Sequence, residues 1–130
     1  MKIEDLDFYS LPELWYPISG FDEYEVSDHG RVRHVARPDS FLKLRRVAKG
    51  YLVVRLYIDG IRYVRRVHRL VAQAIWPNPG NELPLVRHLD GNPASNHFLN
   101  LAWGTDLENY EDARRHGTHP AARLKKAAHA

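Results

Sequence analysis

The chain has 130 residues, 44% hydrophobic and 11% aromatic, which is material for one compact core or two small motifs sharing one, and too much for a disordered chain. No apolar run approaches the ~18 to 20 residues that cross a bilayer, the opening MKIEDLDFYS is acidic where a secretory signal is basic, and the absence of Cys excludes disulfides and Cys-ligated metal. A formal net charge of +3 conceals a division: residues 1–30 carry one Lys against eight acids, residues 31–73 carry twelve Lys or Arg against Asp39 and Asp59, and the remainder balances.

In chain order, Trp15, Ile18, Phe21, Tyr24 and Val26 suggest a small aromatic-cored strand unit that turns at Asp28-His29-Gly30. Tyr51 to Ile58 (YLVVRLYI) and Ile61 to Val67 (IRYVRRV) are two β-prone runs around Asp59-Gly60, which predicts a hairpin with a type I′ turn. On its second strand basic side chains alternate onto both faces. From His68, Leu70, Val71, Ala74 and Ile75 fall at helical spacing, and Pro77 and Pro79 stop one short helix packed on the hairpin. The irregular turn NPGNELP leads to a short strand from Leu85 to Leu89, which breaks at Asp90-Gly91-Asn92-Pro93. A second strand is expected from Leu99 to Trp103. Thr105 with Glu108 forms a capping box opening a helix to about His116, with Gly117 as its C′ residue. The Ala-rich basic tail from Thr118 is helical or frayed. No internal repeat is visible.

Ten of the twelve basic residues in 31–73 are Arg, with Tyr51, Tyr57 and Tyr63 among them. A solvated basic face is the ordinary explanation. Arg, however, forks onto phosphate oxygens better than Lys does, and the local net charge of +10 points to a polyanion, nucleic acid above all.

Strand, loop, strand and helix, with His88 ending the first strand, Asn100 opening the second and Asn109 in the first turns of the helix, is the order of the ββα-metal nuclease motif at spacing H-x11-N-x8-N. The sequence resembles the HNH homing endonucleases of phage and intron type. The resemblance is carried by VHRLVAQAI at 67–75, HLDGNPASNHFLNLAWGT at 88–105, Glu108-Asn109, and an upstream module, WYPISGFDEYEVSDHGRVR, at 15–33. It covers roughly residues 13–117.

The resemblance implies an α+β fold: a small antiparallel β-hairpin plus helix, followed by a ββα-metal (His-Me finger) nuclease motif. It divides the chain into a DNA-contacting strand module at 1–48, an HNH nuclease domain at 49–117 and a basic tail at 118–130. It implies a metal-dependent DNA endonuclease, with a non-cleaving DNA-binding protein on a decayed scaffold as the alternative. His88 is then the general base, Asn100 the residue bracing the loop, and Asn109 a ligand for Mg²⁺ or Mn²⁺. Relatives often place Asp or Asn before the catalytic His as a second ligand. Arg87 stands there instead and cannot bind a cation but could grip a phosphate oxygen, which leaves Asp90 or His68 as the compensating ligand, or a metal held mostly by Asn109, water and the DNA phosphate; His68 is also a candidate core residue. The expected partner is double-stranded DNA, held by Arg31, Arg33, Arg45, Arg46, Arg55, Arg62, Arg65, Arg66, Arg69 and Arg87. The expected state is a monomer or weak dimer in the cytoplasm, the host's if the chain is phage-encoded. Relatives often continue into further DNA-reading helices where here only ARLKKAAHA remains, so low sequence specificity is expected.

Overall fold

The computed structural model describes residues 10–76 and 85–116. Pro77 and Pro79, the NPGNELP turn, Gly117 and the basic tail lie outside the described residues. Among the described residues, eight strands form three small antiparallel sheets and are accompanied by two α-helices.

The first sheet has order β1-β2-β3, from Trp15–Ile18, Phe21–Ser27 and Val32–His34. Alternation along β2 buries Tyr24 and Val26, as the aromatic-cored strand unit requires. Ser27 secures the turn that follows: its Oγ accepts from the backbone N–H groups of His29 (3.2 Å) and Arg31 (3.0 Å).

The second sheet has order β4-β5-β6, from Arg45–Arg46, Leu52–Ile58 and Ile61–Arg66. At the tip, Asp59 and Gly60 have φ of 50° and 80°, so both central residues are left-handed, as a type I′ turn demands. The expected hairpin is therefore present. Val54 and Leu56, fully buried, point into the common core. Each such side chain contributes roughly 1.5–3 kcal/mol through removal from water. The two sheets are joined where the backbone N–H of Tyr57 donates to the Tyr24 hydroxyl at 3.1 Å.

Helix α1 (Val67–Ile75) starts directly at the end of β6 and buries Val67, His68, Leu70, Val71 and Ala72. Strands β7 (Leu85–His88) and β8 (Leu101–Gly104) then form a ribbon in which Val86 faces Trp103 and His88 faces Leu101. β8 begins two residues later than expected from the sequence. The backbone N–H of Asn100 donates to the His97 carbonyl and that of Leu99 to His97 Nδ1, which folds Phe98–Asn100 into a single 3-10 turn ahead of the strand.

Helix α2 (Asp106–Arg115) carries the expected capping box. Thr105 Oγ1 accepts from the Glu108 N–H at 3.2 Å, and Glu108 Oε1 accepts from the Thr105 N–H at 3.1 Å. One hydrophobic cluster runs from Ile18 through Val54 and Val71 to Leu101, joining all three sheets and α1. Among the described residues no helix is long and apolar enough to cross a membrane.

Candidate active site and nucleic-acid face

His88 is the last residue of β7 and is 9% exposed. Successive residues of a strand point to opposite faces, so Val86 and His88 turn inward while Leu85 and Arg87 turn outward. Inward, the His88 ring lies 5.0 Å from that of His68, whose other neighbour is Tyr51, stacked at 5.0 Å.

His88 Nε2 lies 2.8 Å from Asn96 Oδ1. An amide oxygen only accepts, so this contact places the imidazole proton on Nε2 and leaves the lone pair on Nδ1. Burial pushes the His88 pKa down, opposed by the Asn96 hydrogen bond and the Asp90 charge. A neutral ring with a defined basic nitrogen results.

Asn100 is fully buried and satisfied across the loop. Its Nδ2 donates to Asp90 Oδ1 at 2.9 Å and to the Ser95 carbonyl at 2.8 Å, and its Oδ1 accepts from the Asp90 N–H at 3.1 Å. These bonds join the two ends of the 90–95 loop next to His88. Asn96 in turn rests on the N-terminal module, where Gly30 (φ 88°) sits so close that an added Cβ would lie 2.9 Å from Asn96 Cβ. The Phe98 N–H also donates to the Asp28 carbonyl at 2.8 Å.

The expected metal ligands stand on three separate segments: His68 on α1, Asp90 in the loop after β7 and Asn109 on α2. His68 is 4% exposed, its Nδ1 is buried with no hydrogen-bond partner among the described residues, and its pKa is lowered to about 3, by burial first and then by His88, Arg66 and Arg69. That is the core role, close to His88. Asp90 Oδ1 already accepts from Asn100 and from the Asn92 N–H at 2.8 Å. Asn109 is an exposed residue of α2, two helical turns before His116, whose ring lies against Gly91 in the same loop. Among the described residues no three His, Asp or Glu side chains are close enough to hold a cation.

The arginines divide by position. In the register of the second sheet, Arg45, Val53 and Arg66 are partners, as are Arg55 with Val64 and Tyr57 with Arg62. Directly paired residues share a face, so Arg45, Arg55, Arg62 and Arg66 line the one opposite Val54 and Leu56. All four are exposed and none has an ion-pair partner among the described residues. Arg46 and Arg65 are on the other face, where Arg65 lies 5.2 Å from the Phe21 ring centroid.

Arg31 pairs with Glu13 and lies over Phe41, while Arg33 pairs with Glu25 at 3.1 Å and lies over Trp15. Arg69, on α1, lies 5.7 Å from the Trp103 ring centroid. Arg87 is placed differently from a free phosphate contact: Nε and Nη2 donate to the two oxygens of Asp112 at 2.6 and 3.0 Å, and Nη1 to Glu108 at 3.1 Å. Sequence reasoning missed Asn96 and Asp112, whose partners lie eight and 25 residues away.

A two-stranded ribbon ending in a buried His, an Asn-braced loop and a helix carrying a third polar residue define a ββα nuclease fold behind an Arg-rich sheet. Comparison with known proteins agrees. Residues 13–57 match the NUMOD4 motif. An uncharacterized HNH endonuclease of Acanthamoeba polyphaga mimivirus is 33% identical over 93 residues, covering 72% of this chain and 28% of the relative. DNA endonuclease I-HmuI of Bacillus phage SP01 is 31% identical over 115 residues, covering 88% of this chain and 65% of that protein. The solved structure of I-HmuI, titled for DNA binding and cleavage, superposes with a TM-score of 0.70 at 32% identity, covering 88% of this chain and 66% of that one. The chain belongs to the HNH homing endonucleases, whose members generally use a divalent metal. It spans less than two thirds of the length of these relatives.

Proposed function

We propose that this chain is a DNA endonuclease that hydrolyses phosphodiester bonds of double-stranded DNA with His88 as general base. The observation that carries the reading is the His88–Asn96 hydrogen bond. It holds a neutral imidazole at the ribbon's end with Nδ1 free to take a proton from water. Asn100 keeps the loop beside it in one shape, and Asn109 contributes an amide from α2.

The face bearing Arg45, Arg55, Arg62 and Arg66 holds the DNA backbone through its phosphates, with Arg31, Arg33 and Arg69 adding to the positive field. Dependence on Mg²⁺ or Mn²⁺ is part of the proposal. Asn109, with water and the DNA phosphate, would hold the ion, while proton abstraction and grip on the DNA backbone fall to the protein's own side chains.

Supercoiled plasmid incubated with and without Mg²⁺ or Mn²⁺ tests the reading. Nicked circles that vanish with EDTA and are lost in His88→Ala are expected; intact plasmid with undiminished DNA binding would establish the alternative, a binding protein on a decayed scaffold. The engagement of Arg87 by α2 carboxylates is what favours that alternative.

A further inference from the structure

We propose that Asp112 is a positioning residue of this site, holding Asn109 at a fixed place relative to His88 through its two-point ion pair with Arg87. The inference rests on the proposed nuclease roles of His88 and Asn109. β7 carries two consecutive side chains to opposite faces, His88 inward and Arg87 outward to α2.

Helix α2 is attached to the ribbon by charged side chains. None of its described side chains belongs to the hydrophobic cluster, Leu107 and Tyr110 are exposed, and the one buried side chain among those described is Asp112, at 5% exposure. The ion pairs between α2 and β7 converge on one guanidinium, that of Arg87.

The geometry is restrictive. Nε and Nη2 of Arg87 each meet a different oxygen of Asp112, so the pair fixes orientation as well as distance. Nη1 meets Glu108, one helical turn away, so the helix is gripped at two heights and is free neither to slide nor to roll. Glu108 is also the capping-box partner of Thr105, which extends the grip to the helix start. Arg115 joins the network at Asp112 Oδ1, the oxygen that Arg87 Nη2 also meets, at 2.5 Å. The Arg87 stem crosses Gly104, where any Cβ would collide with Arg87 Cδ. Asn109 lies between the two gripped positions, so its place follows theirs.

Plasmid nicking by Asp112→Asn, Asp112→Glu and the apolar pair Arg87→Met/Asp112→Leu tests this. Asp112→Asn lowers kcat about tenfold to a hundredfold, the scale of a slightly misplaced catalytic group, with KM for DNA nearly unchanged. Asp112→Glu, which restores a carboxylate, recovers part of kcat. The apolar pair melts no lower than Asp112→Asn but stays slow, because packing replaces stability and not direction. Wild-type kcat in Asp112→Asn, or in the apolar pair, overturns the proposal. Should wild type and His88→Ala be equally inert, the nuclease reading fails and the clamp is still read by hydrogen exchange. Asp112→Asn then speeds exchange of the Asn109 and His116 amides relative to β5 and β6, and unchanged exchange in α2 overturns it.

Discussion

The rings of His68 and His88 lie 5.0 Å apart inside the fold, the first on α1 and the second at the end of β7. Both pKa values are lowered, with burial the first cause, so each ring takes up a proton more readily in the unfolded chain than in the folded one. For His68, with a folded value of about 3, stability is fully present above the ordinary His range. It falls as the pH drops below ~6.5, and the loss is complete only near the folded pKa. The full effect is on the order of 5 kcal/mol. Urea unfolding at about pH 7.5 and about pH 5 should show lower stability in acid, and His68→Phe should flatten the slope. An unchanged slope in that variant would assign the acid sensitivity elsewhere.

Cleavage should follow the other ring. His88→Ala is expected to lower kcat by roughly 10²–10⁴ with DNA affinity retained, the range for loss of one general base. The wild-type rate should rise through a pKa below the ordinary His value and then level off, because burial keeps His88 in its basic form. Asn96→Asp puts a carboxylate against Nε2, favours the imidazolium, and should move the acid limb to higher pH. An acid limb that stays put would mean Asn96 does not orient the base.

Local signals were readable and distant ones were not. Asp59-Gly60 declares its turn because both positions need left-handed backbone, and Thr105 with Glu108 declares a helix start because the capping box closes within four residues. The roles of His88, Asn100 and Asn109 came from the family resemblance, since no local rule ties together three residues spread over the 88–109 stretch. The pairing of Asn96 with His88 and of Asp112 with Arg87 is decided by loop shape and by how α2 lies on the ribbon. Neither leaves a periodic trace. The start of β8 shifted because His97 supplies both acceptors of a 3-10 turn, which alternation of apolar residues does not report.

DNA affinity should depend steeply on salt, with a log-log slope of about −0.9 per phosphate contact. Replacing Arg45, Arg55, Arg62 and Arg66 together by Ala should reduce the slope by roughly 3 to 4, since these four share one exposed face. Arg65→Ala, on the opposite face and over Phe21, should change it little. Fluorescence anisotropy at several KCl concentrations measures both, and equal effects from the two variants would remove the face assignment.

Gly104→Ala should destabilise the fold by about 1–3 kcal/mol, as an overpacked position does, because the new methyl meets the Arg87 stem. In an Arg87→Ala background the same change should cost much less. Denaturant midpoints of the four proteins form a double-mutant cycle. Additive costs would show that the stem can step aside.

Gly30, in the turn of the N-terminal module, touches Asn96, the residue that holds His88. The segment matched by NUMOD4 is thus a wall of the candidate catalytic loop as well as a candidate DNA contact. The two parts are not interchangeable cassettes. A chimera that fuses residues 49–117 to an unrelated DNA-binding module would lose that wall, and with it the hold of Asn96 on His88, unless the graft brings its own glycine turn to the same spot. Parts of this chain can be inherited or engineered together far more easily than apart.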